Sequence, residues 1–180
     1  MKICVISPKG FPVPAIKGGA VETLITNFID ENEVQKKVFV DLVTIKEKSL
    51  NEIKEKYMCT RFIDVNLQNA LIRFLKKIES ENNFIKRCRG KLENIIYNKN
   101  IIKTIKNNEY DFVIFEGGNP YNYAPVYKYI PKEKSILHVH GVSHGNAFWE
   151  KNFGYFLGIS YFVNKQLTES KLIAPNRAKL

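Results

Sequence analysis

The three histidines of the chain all lie in one short segment, at positions 138, 140 and 144. His138 and His140 are separated by one residue near the end of an apolar run, Ser135 to Val139, that is typical of a strand, so their side chains lie on the same side of it. A histidine that ends a strand and precedes a glycine is suited to hydrogen-bond a sugar hydroxyl, which makes His140 the candidate catalytic residue. His138 is either a second substrate-binding residue or a buried structural histidine.

The same histidines raise the question of a metal site. A zinc site needs at least three protein ligands. No H-E-x-x-H motif and no suitably spaced carboxylate accompanies the histidines in the sequence. We therefore favour substrate binding over metal binding and predict no metal ligands.

Two glycines, Gly18 and Gly19, separate the first apolar run from the first helical stripe. The segment KGGAVE, which ends at Glu22, opens a helix whose backbone N–H groups form an anion site that a ligand can approach closely. Alternatively, the glycines only shape a turn and Glu22 only favours the helix dipole. Because the segment lacks the G-x-G-x-x-G fingerprint and no acidic residue ends the second predicted strand, a nicotinamide or flavin cofactor is disfavoured.

A second glycine pair follows the apolar run Tyr110 to Phe115 in the segment FEGGNP. Glu116 and Asn119 carry oxygen atoms that can bind hydroxyl groups, and the glycines between them leave room for a ligand. The alternative is structural, because Asn-Pro is also an ordinary turn before a helix.

Most of the excess positive charge lies between residues 71 and 107. This stretch has ten Lys and Arg against three Glu (Glu79, Glu81 and Glu93), a net charge of +7, whereas the whole chain has +10. The cations alternate with apolar residues such as Leu71, Ile72 and Phe74, as in a basic amphipathic surface that contacts anionic membrane lipid. The alternative is a solvated helix face. Nucleic acid is disfavoured because no recognised binding motif accompanies the charge.

Composition limits the class of protein. With 180 residues, 44% of them hydrophobic, the chain is long enough for one domain with a substantial core. Its three cysteines form neither a CxxC pair nor a Cys/His cluster, which fits a reducing cytoplasm. The apolar run at the N-terminus is too short for a signal peptide, and no run approaches the ~20 apolar residues of a membrane-spanning helix. We expect a cytoplasmic protein, soluble or peripheral at the inner membrane face.

Strand and helix patterns alternate along the chain. The predicted strands cover residues 2–7, 38–45, 60–65, 110–115, 135–139 and 156–160. A helical stripe follows Gly19, and residues 66–108 are helical with expected breaks at Asn82-Asn83 and at Gly90. This alternation predicts an α/β fold with a doubly wound parallel sheet. Ligands of such sheets bind beyond the carboxyl ends of the strands, here the loops that start at Ser7, Glu116 and His140.

These segments together resemble the N-terminal half of glycosyltransferase family 4, retaining enzymes of the GT-B fold. The opening KICVISPKGFPVPAIKGGAVETLITNF is similar to the first strand, Pro-containing loop, Gly-Gly-x-x-Glu helix start and first helix of that family. The segments YDFVIFEGGNP and SILHVHGVSH are similar to its middle strands, the second of which ends in a His-Gly pair. GISYFVNKQLTES resembles the stretch that leads toward the second domain.

The resemblance implies a Rossmann-like acceptor-side domain over residues 1–174, with residues 175–180 at the start of an interdomain linker. It implies that the Gly18-Gly19 loop faces the diphosphate of a nucleotide-sugar donor and that His140 lies by the transferred sugar. The implied activity is sugar transfer to a glycan or lipid-linked glycan, without an obligatory metal, in cell-surface polysaccharide synthesis.

In that family most of the nucleotide-sugar site lies in a C-terminal domain, which these residues do not include. Half of a cleft neither positions both substrates nor excludes water, so we expect the 180-residue chain alone to be inactive. An alternative of a different class is a non-catalytic binding or assembly module that pairs with a separate partner subunit.

Overall fold

A computed structural model describes residues 1–79, 82–142, 144–169 and 173–179. Of the residues in the motifs above, Glu81, Ser143, Ser170 and Leu180 lie outside this described part. Its strands are β1 Lys2–Ile6, β2 Phe39–Ile45, β3 Thr60–Val65, β4 Phe112–Glu116, β5 Ser135–Val139, β6 Tyr155–Gly158 and β7 Ala178–Lys179. Its α-helices are α1 Ala20–Gln35, α2 Asn51–Lys54, α3 Ala70–Ile78, α4 Asn83–Lys106, α5 Ala124–Tyr127, α6 Ala147–Asn152 and α7 Tyr161–Glu169.

The strands form one sheet in the order β3-β2-β1-β4-β5-β6-β7, and every pair of neighbours is parallel. The order runs outward from β1 in one direction and from β4 in the other. A doubly wound sheet of this kind has its switch point between those two strands, where the connections leave in opposite directions and open a crevice. The predicted fold class, an α/β Rossmann-like doubly wound parallel sheet, is confirmed.

Alternate residues of β1 enter hydrophobic clusters on opposite faces of the sheet, as the two-residue period of a strand requires. Ile3 and Val5 pack with Ile25 of α1 on one face. Ile6 packs with Tyr97 of α4 on the other face. Because each buried aliphatic side chain contributes about 1.5–3 kcal/mol, the two clusters hold helices against both faces.

Tyr97 fixes the carboxyl edge of the sheet next to the switch point. Its hydroxyl group is fully buried and lies 2.8 Å from the carbonyl oxygen of Ser7 and 3.1 Å from that of Val43. Ser7 directly follows β1 and Val43 lies within β2, so one side chain of α4 holds the edge of both strands. The loop after β1 therefore starts from a fixed position.

The long helical region departs from the prediction at one point. The break at Asn82-Asn83 is confirmed, since α4 begins at Asn83 and the Asn82 side chain caps it. The predicted break at Gly90 is wrong, because α4 continues through it. A glycine costs a helix only about 1 kcal/mol, and burial of Tyr97 and Ile101 further along α4 outweighs that cost.

The last strand of the sheet comes from the end of the described chain. Residues 178–179 form β7 beside β6, although the family resemblance implies the start of an interdomain linker there. The domain boundary at residue 174 stays a prediction.

Candidate active site

The candidate site lies where β4 and β5 end side by side. Glu116 is the last residue of β4 and is paired in register with His138 of β5, while His140 directly follows that strand. His138 Nδ1 and His140 Nε2 both lie 2.9 Å from the same Glu116 carboxylate oxygen, Oε2. The two imidazole rings are 4.2 Å apart between centroids. Three of the predicted site residues therefore form one hydrogen-bonded group.

The buried carboxylate fixes the protonation pattern of this group. Burial alone would raise the pKa of Glu116, but the hydrogen bonds from His138 and His140 outweigh that effect and hold its pKa below the usual value. An ionised carboxylate can only accept hydrogen bonds, so each histidine places a proton on the nitrogen that faces it. In neutral His140 the other nitrogen, Nδ1, can then accept a hydrogen bond.

Glu116, His138 and His140 also have the ligand types of a metal centre. One ligand atom from each lies within 4.8 Å of the other two. Two imidazoles and one carboxylate bind zinc or non-haem iron in other proteins, with further coordination positions open to substrate or water. A carboxylate ligand beside the histidines was not predicted, because Glu116 is 22 and 24 residues from them along the chain.

A cavity of about 240 Å3 adjoins the two histidines. Its wall includes Val21 from the first turn of α1, the backbone of Gly117, and Trp149 of α6. Gly117 has a φ of 61°, and a Cβ atom there would lie 3.0 Å from His140 Cδ2. The His140 ring therefore packs directly against the backbone of Gly117, where any larger residue would crowd it. The contact of Gly117 with His140 and the place of Trp149 in the wall were not predicted, although the two glycines after β4 were expected to leave room for a ligand.

The glycine loop before α1 reaches the same edge of the sheet. Gly18 and Gly19 have φ values of 79° and 98°, and Gly19 is the N-cap of α1. The Glu22 side chain is buried and folds back so closely over Gly19 that a Cβ atom there would overlap its carboxylate. The loop lies outside the wall of the His140 cavity, which it adjoins through Val21. Both glycines therefore shape the turn before α1, which is the structural role that the sequence left open. Their contact with a ligand stays a prediction.

Asn119 is not part of the histidine group. Its side chain is exposed and accepts a hydrogen bond from the backbone N–H of Tyr121 at 3.1 Å, which caps the short 3-10 helix Pro120–Tyr123. The turn that the Asn-Pro pair favours is therefore present. Asn119 lines a separate, smaller cavity beside Gly118, so its role in substrate binding stays a prediction.

The basic stretch folds into α3 and α4, which pack against each other. Apolar side chains of α3 and of the start of α4 are exposed, including Leu71 at 54%, Phe74 at 57% and Phe84 at 74%. Among the acids of this stretch, Glu79 and Glu93 both form ion pairs with Arg89. No helix in the described ranges has both the length and the apolar character needed to cross a bilayer.

No protein-family model and no curated protein matches the chain in sequence. Among solved structures, the chain is similar to a glycosyltransferase from Rickettsia africae ESF-5, with a TM-score of 0.56 and 16% identity over 98% of this chain and 41% of that one. It is also similar to MurG from Acinetobacter baumannii, with a TM-score of 0.47 and 12% identity over 87% of this chain and 40% of that one.

These comparisons give the class of fold. The likeness to the Rickettsia enzyme, together with the parallel sheet, shows that the chain has the Rossmann-like α/β fold of a GT-B glycosyltransferase domain. The chain spans about two fifths of the length of each matched structure.

Proposed function

We propose that this chain is the acceptor-side domain of a glycosyltransferase that moves a sugar from a nucleotide-sugar donor to a glycan or lipid-linked glycan. The observation that carries the proposal is the Glu116–His138–His140 group, which lies at the ligand-binding edge of a glycosyltransferase-type fold. The segments quoted above extend the proposal to a retaining enzyme of family 4. Cell-surface polysaccharide synthesis is the process we assign to it.

The geometry supports a defined role for each group. His140 Nδ1 accepts a hydrogen bond from a hydroxyl of the transferred sugar, while Glu116 and His138 hold the imidazole in place. The N-terminus of α1 beside Gly19 favours the negative charge of the sugar donor's diphosphate. In the reaction the bond from the anomeric carbon to the diphosphate oxygen breaks, a bond to an acceptor oxygen forms, and the acceptor proton is released. We propose no obligatory metal, since cationic groups and helix ends stabilise the leaving diphosphate.

A substitution of His140 tests the proposal in a longer protein that contains a donor-binding domain. We expect His140→Ala to lower the rate of sugar transfer by about 100-fold or more, as loss of a preorganised hydrogen-bonding group does. His144→Ala is the matched control, because His144 is exposed and lies outside the histidine group. Transfer at the wild-type rate by a folded His140→Ala protein would refute the proposal.

The exposed residues of the same edge favour a second candidate, a non-catalytic module that pairs with a separate partner subunit. Four large, apolar and exposed side chains lie in the connections that follow β1, β4 and β5: Phe11, Ile16, Tyr121 and Val142. Such a face is suited to packing against another domain or subunit. A longer protein that binds a nucleotide-sugar by calorimetry favours the transferase, whereas one that binds none and forms a stable heterodimer favours the module.

We also propose that the protein works at the cytoplasmic face of an anionic membrane. The exposed apolar residues of α3 share that helix with Arg73, Lys76 and Lys77. Apolar side chains enter the lipid boundary while cations pair with anionic headgroups, each cation adding about 1 kcal/mol near the surface. Residues 71–107 are the proposed contact, and a lipid-linked acceptor would reach the site from this side.

A further inference from the structure

A second cavity lies on the other side of β1, at the carboxyl ends of β1, β2 and β3. It has a volume of about 430 Å3. Five cationic side chains and one acidic side chain line it: Lys9, Lys46, Arg73, Lys76, Arg89 and Glu93. We call this cavity the basic pocket. A concave site with so large an excess of one charge attracts ions of the opposite charge.

Three of these cations have no internal partner. Arg89 pairs with Glu79 and Glu93, and Lys9 Nζ lies 3.6 Å from Glu93 Oε2. In contrast, the side chains of Lys46, Arg73 and Lys76 make no hydrogen bond or ion pair within the ranges that the structure describes. Those three cations repel one another and are available to a ligand that carries negative charge.

Lys9 belongs to the wall and is already partly removed from water. Burial lowers the pKa of its ammonium group, although Glu93 acts in the opposite direction. A second anion near Lys9 would stabilise its charged form.

The small cavity of about 170 Å3 that Asn119 lines adjoins both the basic pocket and the His140 cavity. This middle cavity shares Lys9 and Gly10 with the basic pocket and shares Gly118 with the His140 cavity. Four asparagines line it: Asn94, Asn98, Asn119 and Asn122. Asparagine amides can donate to and accept from hydroxyl groups, so the middle cavity offers hydroxyl-binding groups beside both the basic pocket and the His140 cavity.

An apolar surface adjoins the basic pocket. Ile45, Leu67 and Ile72 contribute apolar atoms to the basic pocket itself. Leu71 and Phe74, on the same helix as Arg73 and Lys76, are more than half exposed. A phosphate held by the cations would therefore have hydrocarbon surface on one side and the amide-lined cavity on the other.

We infer that the basic pocket binds the phosphate group of a lipid-phosphate-linked acceptor, with the acceptor sugar in the middle cavity and the lipid chain along α3. Lys46, Arg73 and Lys76 contact the phosphate oxygens, and Arg89, fixed by Glu79 and Glu93, shapes the wall. The orientation of the sugar rests on the proposed transferase function, whereas the binding of an alkyl phosphate by the basic pocket does not depend on that function.

The inference is tested by direct binding to the 180-residue chain. Isothermal titration calorimetry is carried out with decyl phosphate below its micelle concentration, with inorganic phosphate, and with decyl maltoside, which has the chain and a sugar but no phosphate. The test variant combines Lys46→Gln, Arg73→Gln and Lys76→Gln. The control variant removes the same charge from three exposed lysines that do not line the pocket: Lys37→Gln, Lys56→Gln and Lys165→Gln.

We expect decyl phosphate to bind at least tenfold more tightly than the other two ligands. The test variant should lose about tenfold or more in affinity, a loss of about 1.4 kcal/mol or more, because its three substituted side chains no longer offer cations to the phosphate oxygens. The control should retain the wild-type affinity. All the substituted side chains are exposed, so the far-ultraviolet circular dichroism should not change.

Three outcomes would overturn the inference. Equal affinity for decyl maltoside would show that phosphate is not recognised, and equal affinity for inorganic phosphate would show a free-anion site in place of a lipid site. Equal losses in the two triple variants would show attraction by overall charge alone. If His140→Ala abolishes transfer while the pocket fails these tests, the proposed function stands without the inference. If decyl phosphate binds as expected while His140→Ala transfers normally, the phosphate site stands and the proposed function is refuted.

Discussion

Glu116 Oε2 and His140 Nε2 lie 2.9 Å apart, although Glu116 ends β4 and His140 follows β5, 24 positions further along the chain. The carboxylate is buried and accepts a second hydrogen bond from His138. This arrangement makes Glu116 a positioning residue. It orients the His140 ring and sets which of its nitrogens faces the carboxylate.

Replacing Glu116 by glutamine tests this positioning role. An amide can donate as well as accept, so it no longer requires a proton on His140 Nε2. In a longer protein that contains the donor-binding domain, we expect Glu116→Gln to lower the kcat of transfer about tenfold or more, as expected for loss of a hydrogen bond to a charged group. Long-range 1H–15N correlation spectra of the 180-residue chain should show a changed His140 tautomer. An unchanged tautomer together with unchanged kcat would contradict the role.

The same carboxylate should make stability depend on pH. Burial opposes ionisation of Glu116, but hydrogen bonds from the two histidines hold its pKa below the ordinary value of 4.5. A carboxyl group whose pKa is lower in the folded state stabilises the fold above its unfolded pKa, and this contribution is lost as the pH falls through the folded pKa. We therefore expect Glu116→Gln to be less stable than the wild type by about 1–3 kcal/mol at pH 7, with the gap closing below about pH 4.5.

Urea unfolding curves of the two proteins, recorded from pH 7 down to pH 3, measure that gap. Glu33→Gln provides a comparison, because Glu33 also accepts hydrogen bonds, from the backbone N–H groups of Met58 and Cys59, but lies far from the histidines in sequence and on a different element. A Glu116→Gln deficit that is the same at every pH would contradict the ionisation argument and indicate a packing effect.

The order of strands and helices could be predicted from the sequence, whereas contacts between strand ends could not. Period-two alternation placed His138 and His140 on one side of β5, and the turn residues placed Glu116 at the end of β4. The bond between them depends on the register of two parallel strands, in which Glu116 pairs with His138. Nothing in the local pattern of either strand specifies that register, so all three residues were candidates but the hydrogen bonds that join Glu116 to the two histidines were not predicted.

The basic stretch shows the same limit. Its excess charge is evident from composition, but the basic pocket also takes Lys9 from the loop after β1 and Lys46 from the end of β2. Those two residues join Arg73 only because three parallel strands end at one edge. At Gly90 the local signal was misleading. The low helix propensity of glycine predicted a break, but the packing of α4 keeps the helix continuous there.

Exposed phenylalanines of the basic stretch allow a test of membrane contact. Phe74 and Phe84 are 57% and 74% exposed, so a combined Phe74→Ser and Phe84→Ser variant should keep its stability. Because burial of such a side chain contributes about 1.5–3 kcal/mol, we expect the variant to bind vesicles that contain phosphatidylglycerol at least roughly tenfold more weakly. Sedimentation with vesicles measures the bound fraction.

The matched control for that experiment lies outside residues 71–107. Val34 and Met58 are 79% and 81% exposed, so a combined Val34→Ser and Met58→Ser variant removes apolar surface from another part of the molecule. It should bind vesicles as the wild type does. If the two double variants lose the same affinity, or neither loses any, α3 and the start of α4 are not the contact.

Two glycines, Gly117 and Gly90, should respond to alanine in opposite ways. Gly117 has a φ of 61°, and an added Cβ atom would lie 3.0 Å from His140 Cδ2. We expect Gly117→Ala to destabilise the fold by about 1–2 kcal/mol, because alanine is strained at that φ, and to displace the His140 ring. Gly90 lies within α4 with no atom within 4 Å of an added Cβ. Gly90→Ala should therefore stabilise by about 0.5–1 kcal/mol.

Thermal unfolding gives the sign of each effect, and the 1H–13C spectrum of the imidazoles gives the second readout. Gly117→Ala should lower the melting temperature and shift the His140 signals, whereas Gly90→Ala should raise the melting temperature and leave those signals in place. Both substitutions add one methyl group, so opposite signs reflect the different surroundings: left-handed backbone against His140 at Gly117 and a helix interior at Gly90. A stabilised Gly117→Ala protein with unmoved His140 signals would show that the loop after β4 does not hold the imidazole against its backbone.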